Sequence, residues 1–141
     1  MRLIMPLRHM LTPYQTSPIA SPSYSRLAFL IDFAALKISR DVFVSAMRAE
    51  GIPMRIFYPA PLYSYTLFQK KRELPTGSDF PFSLNKGYQY ASVHLPFAEK
   101  FSHQHIGMEF GPYLDLHDMH DIADAFNKVL SNSMSLQHPC R

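Results

Sequence analysis

Cysteine is all but missing from this chain. Cys140 is the single one in 141 residues, so the chain can neither build a disulfide framework nor complete a thiolate metal site, which points to a reducing compartment. The excess of positive over negative charge is small as well. The formal net charge is +3 and the basic residues are scattered apart from Lys70-Lys71-Arg72, so the phosphate-tracking stripe of a nucleic-acid binder is missing and no nucleic-acid partner is expected. No apolar run approaches the ~20 residues of a membrane span, so a soluble chain without a membrane partner is expected. The opening Met1-Arg2-Leu3-Ile4-Met5-Pro6-Leu7-Arg8 lacks the apolar stretch and small-residue cleavage site of a secretory signal, and a cytoplasmic location is expected. Also missing are a glycine-rich phosphate loop, a Cys/His nucleophile pair and a recognisable Asp-His-Ser arrangement.

What is present reads as one domain with irregular ends. Residues 1–23 carry Pro6, Pro13, Pro18 and Pro22 among Ser and Thr and read as an irregular lead-in. Tyr24 to Asp32 is apolar, aromatic and proline-free, as suits a buried strand. Ser39 then suits an N-cap, Asp41 opposes the helix dipole, and Val42, Phe43, Ala46 and Met47 share a helical face up to Gly51. Met54 to Tyr58 reads as a second strand, ended by Pro59 and Pro61. Residues 69–94 mix charge, Gly and Pro around Phe80-Pro81-Phe82 and read as a long surface loop. Leu95 to His105 suits a short helix with Pro96 in its first turn.

After the Gly111-Pro112 turn, Leu116, Met119, Ile122, Ala123, Phe126, Val129 and Leu130 repeat at helical spacing behind Asp115, Asp118 and Asp121. Residues 131–141 read as a flexible tail. The expected class is α+β over 24–130, a small antiparallel sheet built on the two strands with helices packed on it.

Few residues point to chemistry. His103, His105, His117 and His120 are metal-ligand types, but the last two flank three Asp residues on the helix's solvent side, and exposed polar residues are the plainer reading. Ser83-Leu84-Asn85-Lys86-Gly87 sets a lysine in a charged loop with no apolar pocket to desolvate its amine, so a solvated Lys86 is the plainer reading there. No catalytic, cofactor-binding or metal residue is assigned.

Four stretches carry a family likeness. Arg40-Asp41-Val42-Phe43-Val44-Ser45-Ala46-Met47-Arg48-Ala49-Glu50-Gly51-Ile52-Pro53 precedes Phe57-Tyr58-Pro59-Ala60-Pro61-Leu62-Tyr63, and Leu95-Pro96-Phe97-Ala98-Glu99-Lys100-Phe101-Ser102 precedes Phe110-Gly111-Pro112-Tyr113-Leu114. In order and spacing, from about Tyr24 to Leu130, these resemble the C-terminal small domain of the DegT/StrS-type sugar aminotransferases, pyridoxal-phosphate enzymes of fold type I. The resemblance implies a piece of an enzyme of aminosugar or polysaccharide biosynthesis. The large domain of that family, which holds pyridoxal phosphate through a lysine and an aspartate, has no match in 1–141. The chain by itself is therefore expected to bind no cofactor and to be inactive. It is expected to act with the missing large domain or, as the alternative, as an interaction module on an intact homologous aminotransferase; a homodimer is a further expectation. Tyr58, Pro59 and Tyr63 are expected to wall a substrate pocket. Phe57 and Tyr63 stand where the family has two histidines, and Gly107-Met108-Glu109 where it has Ser-Leu-Pro.

Overall fold

The computed structural model describes residues 11–13, 25–71, 80–85 and 87–136. The chain divides into two compact units, Met1–Phe57 with Gln104–Arg141, and Tyr58–His103. Among the described residues no helix is long and apolar enough to cross a membrane.

The first unit holds the sheet. Its strands are β1 (Leu11–Pro13), β2 (Arg26–Ile31) and β3 (His105–Glu109), antiparallel in the order β1-β2-β3. The register places Arg26 opposite Glu109, Ala28 opposite Gly107 and Leu30 opposite His105. Successive side chains of a strand point to opposite faces. Leu27, Phe29, Ile31, Ile106 and Met108 accordingly join the core, and Arg26, Ala28, Leu30, His105, Gly107 and Glu109 take the other face.

Local chemistry explains where the helices start and stop. In α1 (Phe33–Leu36) the Asp32 carboxylate accepts the Ala35 N–H at 3.0 Å. In α2 (Arg40–Ala49) Ser39 Oγ accepts the Val42 N–H at 3.2 Å. That helix closes in a Schellman motif: the Gly51 N–H donates to the Arg48 carbonyl, the Ile52 N–H to that of Met47, and Gly51 supplies the required positive φ of 86°. α5 (Leu116–Ser131) opens on a capping box, with Asp115 Oδ1 accepting from the His117 and Asp118 N–H groups while Asp118 Oδ2 accepts the Asp115 N–H. A short α6 (Ser133–Leu136) follows, so the first part of the expected tail is helical.

The core sits between sheet and helices. Phe43 is fully buried, its ring centroid 5.8 Å from Phe33 and 5.9 Å from Phe126. Phe126 in turn lies 4.9 Å from Phe29 of β2. Fully burying side chains of this size is worth about 1.5–3 kcal/mol each, which is what holds α2 and α5 on the sheet. Lys128 Nζ also meets Glu50 Oε2 at 2.6 Å, linking α5 to the end of α2.

The α+β class holds, with a different composition of the sheet. Met54 to Tyr58 is not a strand; Arg55 alone bridges Gly107, through Arg55 N–H to Gly107 O at 2.7 Å and Gly107 N–H to Arg55 O at 2.9 Å. Pro53 lacks the N–H group that would extend this pairing on its N-terminal side. The partner of β2 is instead β3, which begins at His105, so the helix expected through that residue ends at Gln104. Within residues 1–23, only 11–13 are described, and they form β1.

The second unit is built of short pieces. A 3-10 turn at Leu62–Ser64 leads into α3 (Thr66–Lys70), 3-10 turns follow at Phe82–Asn85 and Tyr90–Ser92, and α4 (Pro96–Gln104) ends it. Ser102 is its one fully buried residue among those described.

Candidate functional site

Two proline-bearing stretches of the second unit meet at Glu99. Pro59 and Pro61 stiffen the chain after Tyr58, and the 3-10 turn at Leu62–Ser64 brings Tyr63 round to α4. There the Tyr63 hydroxyl donates to Glu99 Oε1. The same oxygen accepts the Leu95 N–H at 2.9 Å and faces His94 Nδ1 at 2.8 Å. Gln69 Nε2 donates to the Tyr63 carbonyl at 2.6 Å and fixes the turn from behind. The bond from the Tyr63 hydroxyl, then the Leu95 N–H and the nearby His94, hold the Glu99 carboxyl below the usual carboxylate range. Reciprocally, the bond to Glu99 and its negative charge push the Tyr63 hydroxyl up, so Tyr63 stays a neutral donor across the physiological range. With Nδ1 turned to Glu99, His94 is left with Nε2 on an exposed ring. The cluster can orient an imidazole and a phenol at a surface.

The expected wall residues divide. Tyr63 is half-buried and committed to Glu99, whereas Tyr58 and Pro59 lie at the surface. Phe57, in the first unit, serves the sheet: its ring lies against Gly107, where an added Cβ would come within 2.9 Å of it and within 2.6 Å of the Leu27 carbonyl. The Arg26 guanidinium sits 4.5 Å from the Phe57 ring centroid, and the His105 ring 6.2 Å away. A phenyl group at position 57 therefore covers part of the sheet's non-core face, at Arg26, Gly107 and His105.

The four histidines do not gather. His105 is buried in β3, only 1% exposed, while His103, His117 and His120 are exposed on helices, and His117 Nδ1 pairs with Asp121 at 3.2 Å. Among the described residues no group of three or more His, Cys, Asp or Glu side chains could hold a metal ion. Burial, then the Arg40 charge, pushes the His105 imidazole below its usual range, which keeps it neutral. Lys86 lies outside the described residues.

An aromatic cluster in the second unit has no counterpart among the sequence-derived candidates. Phe68 lies 5.3 Å from Tyr90 and 6.0 Å from Phe82, and Tyr88 lies 4.8 Å from Tyr90, centroid to centroid. With Lys71 these rings line an open cavity of about 690 Å³. The signal was available in Phe80-Pro81-Phe82 and Tyr88-Gln89-Tyr90, two aromatic pairs at alternate positions within a stretch otherwise rich in charge and turn residues.

No protein-family model matches this chain, and no curated protein matches it either.

Proposed function

We propose that this chain is the C-terminal small-domain part of a DegT/StrS-type, pyridoxal-phosphate-dependent sugar aminotransferase, inactive by itself and completed by a large domain or an intact homologue, acting in the cytoplasm. The observation that supports this reading is the junction at Glu99. The resemblance rests on separate stretches, and Tyr63 of the Tyr58–Tyr63 stretch bonds to Glu99 of the Leu95–Ser102 stretch, so the two act as one surface element. On this reading Tyr58, Pro59 and Tyr63 form the wall offered to the partner's substrate pocket.

The described lining of the aromatic cavity does not by itself make a pyridoxal-phosphate site. That cofactor takes a lysine amine for its aldehyde, an acid or arginine at its pyridine nitrogen and backbone N–H donors for its phosphate. The aromatic cavity offers Lys71 but no acid among its lining residues, so transamination is not assigned to this chain's own side chains.

A second reading, an interaction module on an intact aminotransferase, is favoured by the exposed apolar side chains of the second unit, where Phe97 is 91% exposed and Leu62 and Leu95 are exposed as well. One experiment separates the readings. The chain is co-expressed with a DegT/StrS-type large domain lacking its own small domain, and separately with an intact enzyme. The expected result is a co-eluting complex and sugar transamination with the large domain, and no lysine adduct when the chain alone is treated with pyridoxal phosphate and borohydride. Binding only to the intact enzyme supports the module. A stoichiometric adduct on the isolated chain, or no complex with either form, overturns both.

A further inference from the structure

The aromatic cluster of the second unit lines an open hollow as well as packing on itself. Phe68, Phe82 and Tyr90 stand in mutual contact, edge to face or tilted, with Tyr88 edge-on to Tyr90. The cavity of about 690 Å³ that they line lies within the ~300–1,000 Å³ common for small-molecule sites. Its walls are apolar and aromatic, and Lys71 is the one charged side chain among them. Lys71 is half-buried, and among the described residues no carboxylate pairs with it. An ammonium beside an apolar wall attracts an anion held against that wall more strongly than it would in open water.

We propose that this cavity binds an aromatic monoanion, a planar ring system bearing one carboxylate or sulfonate. The rings of Phe68, Phe82 and Tyr90 take the guest's flat body, since ring faces are negative and ring edges positive and a second aromatic surface satisfies both. The Lys71 ammonium takes the guest's charge. Among the described residues a neutral guest leaves that cation without a counter-ion, and a dianion needs a second cation that the described lining lacks. The inference stands independently of the aminotransferase reading.

Lys71 also supplies a clean test. Its backbone holds φ at +50°, at the end of α3, a conformation that favours glycine. Lys71→Gly thus removes the charge while relieving the backbone. The probes are anilinonaphthalene sulfonate and its uncharged analogue phenylnaphthylamine, read by fluorescence; the chain has no tryptophan to interfere. The wild-type chain is expected to bind one sulfonate probe saturably and the uncharged probe about tenfold more weakly. Lys71→Gly is expected to weaken the sulfonate about tenfold, leave the uncharged probe unchanged and not lower the melting temperature. Phe82→Ala weakens both probes, and Phe97→Ser, which removes an exposed ring outside the cavity lining, changes neither. Absence of a saturable site, equal affinity for the two probes, a Lys71→Gly chain that binds the sulfonate like wild type, or loss of binding in Phe97→Ser overturns the proposal.

Discussion

The two units of this chain spend their apolar residues differently. Every fully buried apolar side chain among the described residues belongs to the first unit, from Ile31 to Leu130, whereas most of the large apolar side chains left exposed belong to the second. The first is held by area removed from water. The second is held by short-range bonds, such as Ser64 Oγ to the Pro61 carbonyl and Ser92 Oγ to the Gln89 carbonyl, by ring contacts, and by the longer link from Tyr63 to Glu99. A segment with little buried area opens at lower free energy than one with a core. The region best furnished with surface chemistry is thus also the one with the least to hold it closed.

Paired substitutions test this most strongly. Phe43→Ala is expected to cost about 3–5 kcal/mol, since it empties the centre of the core, whereas Phe82→Ala, half-buried in the second unit, should cost about 1 kcal/mol. Urea unfolding of both variants checks the ratio; equal losses would break the contrast. Next in size is Gly107→Ala, expected to cost about 1–3 kcal/mol by overpacking, because the new methyl meets both the Leu27 carbonyl and the Phe57 ring. Adding Phe57→Ala should relieve only the ring's share, measurable as a coupling energy in a double-mutant cycle. Asp115→Ala, which removes the box that starts α5, should cost about 1 kcal/mol, read as a drop in melting temperature.

The smallest expected effect is a slope. The folded state holds His105 neutral, below its unfolded pKa of about 6.5. The unfolded chain therefore binds the extra proton first, so this contribution is fully present above about pH 6.5 and declines as pH falls below it. Urea midpoints measured between neutral and mildly acidic pH should fall with acidification, and His105→Leu should flatten that fall.

The parts of the fold legible in the sequence are those whose causes are local. Ser39, Asp41 and Gly51 announce both ends of α2 because caps act over one turn, and the same holds for Asp115 at α5. Within those helices the buried stripe sits slightly off the expected one. Val44 and Ala125 are buried, whereas Val42 is 37% exposed and Leu116 is 74% exposed, because the angle at which a helix meets its sheet is a tertiary fact.

β3 was illegible for the opposite reason. His105, Gly107 and Glu109 are poor strand residues in isolation, and the strand exists because β2 supplies its hydrogen-bond partners from far along the chain. Met54 to Tyr58 looked the better strand and yields one bridge, at Arg55, where Pro53 removes the N–H that the next pair on one side would need. At the candidate site Tyr63 was legible from its motif, but its partner Glu99 and the ring cluster of Phe68, Phe82 and Tyr90 required the turns that fold the chain back on itself.

The central place of β2 between its neighbours has a consequence for how the chain comes into being. Phe29 and Phe43 emerge early during synthesis, but Ile106, Met108 and Phe126, against which they close, follow only after the whole second unit has been made. Chains fold from the N-terminal side as they are made, and pairing across long sequence separations is slow. A ribosome-bound chain halted before β3 would carry an unfilled aromatic half-core, a natural target for chaperones.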